Sequence, residues 1–331
     1  MRIAVVGTGG IGGPYGASLA KAGVDVTFVA RGAHLTAMRK NGLLVEGDRG
    51  ETHIRPAQAT DDIAGIGVVD FVLFCVKLWD VEGVGQQLRA IVGPGTAVVP
   101  LQNGVDAPER LIPILGREAV MGGTAFVTGT ITAPGVVHQT GTYQRMTFGE
   151  LDGRLSERGQ RLRDLCGTAG FEGVLSPDIR VPVWEKFILL VPLSGLHALT
   201  RVPLGKWRGD PDLLALYEAA LAETVAVGLA EGVKLPPECI ANGLGMMQSM
   251  PAHHTTSMGN DLLRGNRLEL PWFAGKVIEL GRRHGVPTPV NGFIYTALKP
   301  YINGPPIQAP DAKPGNLNIA LRSAHTLPDF S

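Results

Sequence analysis

Three glycines near the N-terminus have the spacing of a site that binds a pyrophosphate. Gly7, Gly9 and Gly12 follow a short apolar run, residues 2–6, and precede a segment with helical character. In a G-x-G-x-x-G pattern the first glycine permits a tight turn, the second lets the backbone approach the pyrophosphate, and the third lets the helix pack closely on the strand. The helix N-terminus then faces the phosphates. The pattern predicts a dinucleotide site; the alternative is a glycine-rich turn without a ligand.

Lys186 is a candidate for proton transfer. It is a lone lysine in a mostly apolar stretch, residues 183–190, at the head of a predicted helix. Reduction of a ketone by hydride transfer needs a proton donor near the carbonyl oxygen, and a lysine in a cleft can serve. Burial lowers the pKa of a lysine and nearby phosphates raise it, so the sequence leaves the net direction open. The alternative is a lysine that extends from a core helix towards solvent.

Hydroxyl and carboxylate groups cluster further along the chain. Ser257 follows two threonines and the pair His253-His254, and Glu269 precedes a predicted helix. The hydroxyls suit the carboxylate of a small acid, and Glu269 suits a substrate hydroxyl, although helix capping is the structural alternative for both residues. Adjacent histidine side chains diverge and no further ligand lies at metal spacing. We therefore predict no metal site.

The end of the second predicted strand distinguishes between the two nicotinamide dinucleotides. An NAD-binding chain usually carries Asp or Glu there to hold the ribose 2′-hydroxyl. This chain has Ala30-Arg31-Gly32 instead. A guanidinium pairs with a 2′-phosphate and stacks on adenine, whereas a carboxylate would repel that phosphate. We predict NADPH as the cofactor, with an ordinary surface arginine as the alternative.

Predicted strands and helices alternate along the N-terminal half. The main strands are predicted at residues 2–6, 25–30, 68–76 and 97–101, and the helices at 14–22, 33–39 and 80–91. This alternation predicts a doubly wound parallel sheet, in which ligands bind at the carboxyl ends of the strands. Lys77 and Asn103 follow two of these strands. Residues 119–149 are predicted to form further strands, with turns at Gly129 and Pro134-Gly135.

Helical patterns replace the strands past about residue 175. One helix is predicted from Asp210-Pro211 to Gly232 and another from about Pro271 to His284-Gly285, because caps, prolines and glycines mark their ends. We predict an α/β fold with a Rossmann-like domain at 1–175 and a mostly α-helical domain at 176–331. The proline-rich tail, 302–331, is predicted to wrap the surface or to be partly disordered.

Charge and cysteine content exclude several classes of function. The 331 residues include 30 Lys and Arg against 30 Asp and Glu, so there is no basic surface for nucleic acid. No apolar run reaches the roughly 18 residues of a membrane span. Cys75, Cys166 and Cys239 lie far apart, which is typical of free thiols in a reducing compartment. We expect a cytoplasmic protein that acts on a small molecule, with a homodimer as the first expectation for its assembly.

These residues together resemble the ketopantoate reductase (2-dehydropantoate 2-reductase) family, over nearly the whole chain. The matching pieces are residues 7–16, Ala30-Arg31-Gly32, Val76-Lys77, Gln102-Asn103-Gly104, Trp184-Glu185-Lys186, Thr256-Ser257-Met258, Asp261, Glu269 and residues 285–291. Each piece is short, but their order and spacing together are specific. The resemblance implies that NADPH reduces the ketone of a 2-oxo acid, 2-dehydropantoate, to (R)-pantoate on the route to pantothenate.

The resemblance also implies a role for each matching side chain. Lys186 and Glu269 are the catalytic residues: Lys186 protonates the developing alkoxide, and Glu269 holds the substrate hydroxyl. Ser257 contacts the carboxylate, Asn103 contacts cofactor and substrate, and Ser194 joins the substrate contacts. The predicted cofactor contacts are Gly7, Thr8, Gly9, Gly10, Ile11, Gly12, Arg31, Lys77, Asn103 and Ala125.

The substrate half departs from the family's pattern. The family commonly has Asn four and eight residues after the lysine, where this chain has Leu190 and Ser194, and Asn three residues before the serine, where it has His254. Pro192 is predicted to disturb the helix locally, because proline cannot donate to the carbonyl four residues back. An apolar side chain cannot hydrogen-bond a polar substrate group, and such a mismatch changes specificity strongly.

Three functions fit these residues. The first is reduction of 2-dehydropantoate, and the second is the reaction of a related dehydrogenase on a different 2-oxo or 3-hydroxy acid. The third is NADPH binding by a sensor or scaffold without catalysis. Leu190 favours the second function, and the presence of Lys186, Ser257 and Glu269 argues against the third, because a sensor needs no proton donor.

Overall fold

The computed structural model describes residues 1–306, in which ten strands all precede residue 176 and six of eleven α-helices follow residue 179. The strands are β1 (Arg2–Val6), β2 (Asp25–Val29), β3 (Leu43–Gly47), β4 (Thr52–Ile54), β5 (Ala59–Thr60), β6 (Phe71–Phe74), β7 (Ala97–Pro100), β8 (Met121–Ala133), β9 (Val136–Glu150) and β10 (Glu172–Leu175). The α-helices are α1 (Gly12–Lys21), α2 (Gly32–Asn41), α3 (Val81–Leu88), α4 (Ala107–Leu115), α5 (Glu157–Thr168), α6 (Arg180–Thr200), α7 (Pro211–Ala230), α8 (Cys239–Ser249), α9 (Ser257–Leu263), α10 (Ala274–His284) and α11 (Pro289–Leu298).

The first sheet is parallel throughout and has the strand order β5-β2-β1-β6-β7. Its strands are apolar because both faces are covered. Ile3, Val5 and Leu73 pack into a core with α1, whereas Ala4 and Val72, which point the other way, pack into a core with α3 and α4. The predicted doubly wound α/β sheet is confirmed, although β6 and α3 are shorter than predicted.

A second, mixed sheet has the order β10-β9-β3-β4, with β8 paired to β9. The predicted turn at Pro134-Gly135 joins β8 to β9. The predicted turn at Gly129 is wrong, because Gly129 lies inside β8. A Cβ atom on Gly129 would overlap the carbonyl of Gly10. Glycine is needed there for close approach of two backbones rather than for a turn.

The remainder of the described chain is helical, as predicted. α7 begins where the caps indicated: the Asp210 carboxylate accepts hydrogen bonds from the N–H groups of Asp212 and Leu213, and Pro211 occupies the first turn. α10 ends at His284, followed by Gly285 with a φ of +68°. Its predicted start near Pro271 is too early, because residues 270–272 form a separate 3₁₀ turn.

Helix α6 forms the centre of this helical region. It runs from Arg180 to Thr200 and continues through Pro192, so proline does not end the helix. Val191, Leu193 and Leu196 are almost fully buried, and α6 packs on α7, α8, α9 and α11. Tertiary packing thus outweighs the hydrogen bond that Pro192 cannot make.

Helix α7 is long and apolar enough to qualify as a candidate membrane span, and within residues 1–306 it is the single helix that does. It packs against α6, α8, α10 and α11, and Tyr217, Ala220 and Leu221 are fully buried. Core helices of globular proteins meet the same criteria of length and composition. The predicted behaviour of the tail falls on residues beyond 306, outside the described residues.

Candidate active site

A cavity of about 1030 Å³ lies at the carboxyl ends of the parallel strands. Its lining includes the residues that follow β1, β2, β6 and β7, together with parts of β8, α6 and α9. This is the edge at which doubly wound sheets bind ligands. The cavity therefore lies between the parallel sheet and the helical region.

The glycine loop after β1 is shaped to admit a ligand. Gly7 has a φ of +100°, and a Cβ atom on it would come within 2.8 Å of the Cys75 carbonyl. A Cβ atom on Gly9 would meet no described atom within 4 Å, whereas one on Gly12 would overlap the Gly7 carbonyl. Helix α1 carries no acidic residue in its first turn. The loop thus fits the pyrophosphate of a dinucleotide, with Gly9 as the point of close approach.

Arg31 lies at the rim of the same cavity. It precedes α2, its side chain is 82% exposed, and its guanidinium lies 3.2 Å from a carboxylate oxygen of Asp80. No carboxylate occupies the end of β2 itself, where Ala30 precedes Arg31. An exposed guanidinium at this place is available to a phosphate group on the adenosine ribose.

Lys186 projects from the second turn of α6 into the cavity. Its ammonium donates a hydrogen bond of 2.7 Å to Asn103 Oδ1 and another to the Ala125 carbonyl, and it lies 5.3 Å from the centre of the Phe126 ring. Burial lowers the pKa of Lys186 to about 8, although the negative charge of Glu269 acts to raise that pKa. An ammonium with this pKa is a suitable proton donor near neutral pH.

Lys77 forms an ion cluster with two carboxylates that also line the cavity. Its ammonium lies 3.1 Å from Asp261 and 3.5 Å from Glu269, and the other Glu269 oxygen accepts a 3.2 Å hydrogen bond from the N–H of Leu78. Burial alone would lower the pKa of Lys77, but the two carboxylates outweigh it and raise that pKa. Lys77 thus stays charged while Lys186 is poised to give up a proton.

The N-terminus of α9 presents Ser257 to the cavity. Thr256 caps the helix by accepting a 3.2 Å hydrogen bond from the Gly259 N–H, which leaves the exposed Ser257 available. The buried His197 on α6 holds this turn, because its Nδ1 accepts a 2.9 Å hydrogen bond from the Thr256 N–H. Burial, followed by nearby His254, lowers the pKa of His197, which favours the neutral ring that this bond requires.

Comparison with known proteins identifies the family. A model of the family described as ketopantoate reductase PanE/ApbA matches residues 3–153, and a model of its C-terminal part matches residues 178–302. The chain belongs to the ketopantoate reductase family of oxidoreductases. A 2-dehydropantoate 2-reductase of Mesorhizobium japonicum is 31% identical over 313 residues, which cover 87% of this chain and 94% of that protein. An uncharacterized oxidoreductase, YkpB of Bacillus subtilis, is 28% identical over an alignment that covers 91% of this chain and 99% of that protein.

Solved structures show the same fold. The 2-dehydropantoate 2-reductase from Geobacter metallireducens superposes with a TM-score of 0.85 at 28% identity, covering 90% of this chain and 99% of that one. A D-mandelate dehydrogenase solved with NADH and anilino(oxo)acetate gives a TM-score of 0.85 at 20% identity, covering 91% and 98%. A dimeric ketopantoate reductase from Staphylococcus aureus gives a TM-score of 0.78 at 20% identity, covering 91% of this chain and 99% of that one. At 20% identity, these last two likenesses establish the fold alone.

In this member of the ketopantoate reductase family most of the predicted site residues line one cavity. They are Gly7, Thr8, Gly9, Gly10, Ile11, Arg31, Lys77, Asn103, Ala125, Lys186, Ser257 and Glu269. Gly12 lies behind the loop and packs on β1, the role that its place in the pattern predicts.

Ser194, a predicted substrate contact, does not line the cavity. It is fully buried, and its hydroxyl has no hydrogen-bond partner among residues 1–306. On an α-helix the eighth residue after Lys186 points about 80° away, whereas the seventh, Leu193, returns to within about 20°. Leu193 and Leu190 accordingly line the cavity.

Sequence reasoning missed four cavity residues of note. Asp80 pairs with Arg31, His34 accepts a 3.0 Å hydrogen bond from the Gly135 N–H, and Met246 and Met250 line the same cavity. None of them belongs to a motif, and tertiary structure alone brings them to the site. Within the described part of the chain, no group of three His, Cys, Asp or Glu side chains is arranged to hold a metal ion.

Proposed function

We propose that the protein is an NADPH-dependent reductase that converts 2-dehydropantoate to (R)-pantoate. The observation that carries this proposal is the ammonium of Lys186, which has a pKa of about 8 and is held at the cavity by Asn103 and the Ala125 carbonyl. A cation beside the reacting oxygen stabilises negative charge as it develops in the transition state and then supplies the proton.

The cofactor would be held by the glycine loop and by Arg31. When bound, NADPH supplies the hydride for the reduction. Gly9 leaves room for the pyrophosphate, and the N-terminus of α1 favours its negative charge. Arg31 would bind the 2′-phosphate in place of its pairing with Asp80. Lys77 and Asn103, at the ends of neighbouring strands, complete the cofactor contacts.

The substrate would be oriented by side chains from three elements. Ser257 binds its carboxylate, Glu269 accepts a hydrogen bond from its hydroxyl, and Asn103 fixes the ammonium of Lys186. Lys186 protonates the carbonyl oxygen and recovers its proton from solvent. The 2-dehydropantoate 2-reductase of Mesorhizobium japonicum, which matches nearly the full length, supports this choice of substrate.

A second candidate substrate is a different 2-oxo acid. Leu190 lines the cavity at the position where the family commonly has an amide. The loss of a hydrogen-bonding group next to Lys186 favours a substrate with a less polar side chain.

We also propose a two-domain, cytoplasmic homodimer. The domains are residues 1–175 and 176–331, and the change from sheets to helices between β10 and α6 supports this division. The three cysteines are unpaired, which suits a reducing compartment. The Staphylococcus aureus ketopantoate reductase is described as dimeric, which supports the proposed dimer.

The test is NADPH oxidation by purified protein with 2-dehydropantoate, followed by absorbance. We expect oxidation by the wild type only when the 2-oxo acid is present. Lys186→Met should lower kcat by about 10² to 10⁴ and leave the Kd for NADPH within about threefold. Lys206→Met, which changes an exposed lysine outside the cavity, is the matched control. Wild-type turnover by Lys186→Met would remove Lys186 from the proton transfer.

A further inference from the structure

Three side chains that do not line the cavity form a stack next to it. The guanidinium carbon of Arg267 lies 4.9 Å from the centre of the Trp79 ring and 5.9 Å from the centre of the Trp272 ring. The two ring centres are 6.4 Å apart. The negative face of an aromatic ring attracts a guanidinium, so the arginine binds the two rings to each other. We name Trp79, Arg267 and Trp272 the aromatic clamp.

The aromatic clamp joins two distant segments of the chain. Trp79 lies in a 3₁₀ turn, two residues after Lys77. Arg267 and Trp272 lie two residues before and three residues after Glu269, and Trp272 ends a second 3₁₀ turn. Short 3₁₀ turns make few hydrogen bonds of good geometry. Contacts between the two segments therefore determine how each one sits against the other.

The carboxylate of Glu269 depends on that placement. One of its oxygens accepts the N–H of Leu78 at 3.2 Å, and the other lies 3.5 Å from the Lys77 ammonium. Both partners belong to the segment that carries Trp79. Glu269 is almost fully buried and still lines the cavity. A shift of one segment against the other would therefore move this carboxylate relative to a bound substrate.

Arg110 connects the first segment to the far side of the aromatic clamp. Its guanidinium donates a 2.6 Å hydrogen bond to the Leu78 carbonyl and lies 5.6 Å from the centre of the Trp272 ring. Two further hydrogen bonds to Glu82 hold this guanidinium in place. The backbone of Leu78 is thus fixed on both sides, by Arg110 at its carbonyl and by Glu269 at its N–H.

The ion pair between Lys77 and Glu269 would hold the two segments together only weakly. The Lys77 side chain is 43% exposed, and its ammonium is shared with Asp261 at 3.1 Å. Ion pairs with this exposure add little stability, because water screens the charges. The half-buried rings of Trp79 and Trp272 make contacts that depend on shape and apolar area as well as on charge.

We infer that the aromatic clamp positions Glu269 to accept a hydrogen bond from the substrate hydroxyl, an inference that rests on the proposed function. Its three members are positioning residues, because none of them lines the cavity and each acts through Glu269. Loss of the clamp should weaken recognition of the 2-oxo acid and leave the dinucleotide contacts at the glycine loop unchanged.

The experiment is a double-mutant cycle of Trp79→Leu and Glu269→Gln, measured as kcat/KM for 2-dehydropantoate. Trp79→Leu alone should lower kcat/KM by about tenfold, chiefly through KM, with the Kd for NADPH within about threefold of the wild-type value. When Glu269 is already replaced, the same substitution should change kcat/KM by less than about threefold, because the residue through which it acts is lost. Trp79→Phe keeps an aromatic face and should recover part of the loss.

Equal losses from Trp79→Leu in the two backgrounds, or no loss in either, would overturn the inference. If Glu269→Gln turns over too slowly to measure, the Kd of (R)-pantoate for the NADP⁺-bound protein completes the same cycle. A merely structural role for Trp79 would lower that affinity equally with and without the Glu269 carboxylate.

Arg267 tests the aromatic clamp from its exposed side if Trp79→Leu fails to fold. Arg267→Ala should raise KM for 2-dehydropantoate by about threefold or more, whereas Arg267→Lys keeps a cation over the rings and should raise it less. Arg282→Ala, which removes an exposed arginine from α10, is the matched control and should keep the wild-type KM. Equal KM values for Arg267→Ala and Arg282→Ala would contradict the inference.

The two proposals fail in different ways. If the wild type binds NADPH but neither reduces 2-dehydropantoate nor binds (R)-pantoate, the proposed function is wrong and the inference falls with it. If the wild type reduces 2-dehydropantoate and the clamp variants match it, the proposed function stands and the aromatic clamp does not position Glu269.

Discussion

The cofactor end and the substrate end of the cavity are built from different parts of the chain. At the end proposed for the cofactor, the glycine loop after β1 and Gly129 of β8 present backbone to the cavity, and Arg31 lies at the rim. At the end proposed for the substrate, the cavity surface is made by side chains on α6, α8 and α9, among them Lys186, Leu190 and Ser257. Under the proposed function, the backbone of the glycine loop would recognise what all nicotinamide dinucleotides share, and the side chains would determine which acid reacts.

The comparison predicts that the two ends respond differently to substitution. A change at the cofactor end should act on binding of every substrate alike, since every reaction needs the same dinucleotide. A change at the substrate end should alter the activity with particular acids, or the proton-transfer step. The predictions below test this difference, beginning with the largest expected effect.

Gly9→Val should abolish most cofactor binding without unfolding the protein. A Cβ atom at Gly9 meets no described atom within 4 Å, so the valine would occupy the space of the pyrophosphate. We expect the Kd for NADPH to rise by about 100-fold or more, with the melting temperature nearly unchanged. Gly12→Val should instead lower the melting temperature, because its Cβ atom overlaps the Gly7 carbonyl. NADPH titration and thermal unfolding measure the two effects, and equal NADPH affinity in Gly9→Val would contradict the assignment.

Arg31→Ala should weaken NADPH far more than NADH. The lost pairing with the 2′-phosphate is worth about 1.5 to 3 kcal/mol, or roughly 10- to 100-fold in the ratio of the two Kd values. Asp80→Asn is the companion variant, since it frees Arg31 from its 3.2 Å ion pair and should tighten NADPH slightly. If Arg31→Ala weakens both cofactors equally, Arg31 has no part in choosing between them.

His197→Leu should loosen the turn that carries Ser257. It leaves the buried N–H of Thr256 without its acceptor, which costs about 2 kcal/mol. We expect KM for the 2-oxo acid to rise while the Kd for NADPH stays constant. His197→Asn, whose side-chain oxygen can replace Nδ1 as acceptor, should recover part of the loss. Equal KM values for the Leu variant and the wild type would show that the bond does not position Ser257.

Lys186→Met should stabilise the protein at neutral pH. The pKa of Lys186 lies at about 8 in the folded protein, below its ordinary value of 10.5, so the unfolded chain binds this proton more tightly. The charged lysine therefore costs stability below pH 8, and the cost fades as the pH rises towards 10.5. After subtraction of its lost hydrogen bonds, we expect a gain of about 1 kcal/mol at pH 7. Denaturant unfolding of both proteins at pH 7 and at high pH measures this gain in the free energy of unfolding. A gain that grows with pH would contradict a lowered pKa for Lys186.

Local sequence patterns predicted the first sheet and the helix ends well. Phe71–Phe74 are all buried, and an apolar run of this kind indicates a strand covered on both faces. The Asp210-Pro211 pair placed the start of α7 correctly. Local patterns do not predict the second sheet as a separate sheet, because its pairs join distant segments, such as Leu44 with Val136. No local pattern encodes such a pairing.

The candidate site divides in the same way. The glycine pattern depends on spacing within one turn, so its geometry follows from sequence. The pKa of Lys186 depends on what surrounds its ammonium, and Asn103 and Ala125 come from other elements. The family spacing predicts Ser194 as a substrate contact, whereas the helical period brings Leu193 to the cavity and leaves Ser194 buried.

The most direct test of the account is the pH dependence of kcat/KM for a 2-oxo acid at saturating NADPH. If Lys186 donates the proton, kcat/KM should fall about tenfold per pH unit above a pKa of about 8. Asn103→Ala should move this limb, because it removes a hydrogen bond to the ammonium. A profile that stays flat to about pH 10, the range of an ordinary lysine, in both proteins would contradict the claim that a buried Lys186 is the acid.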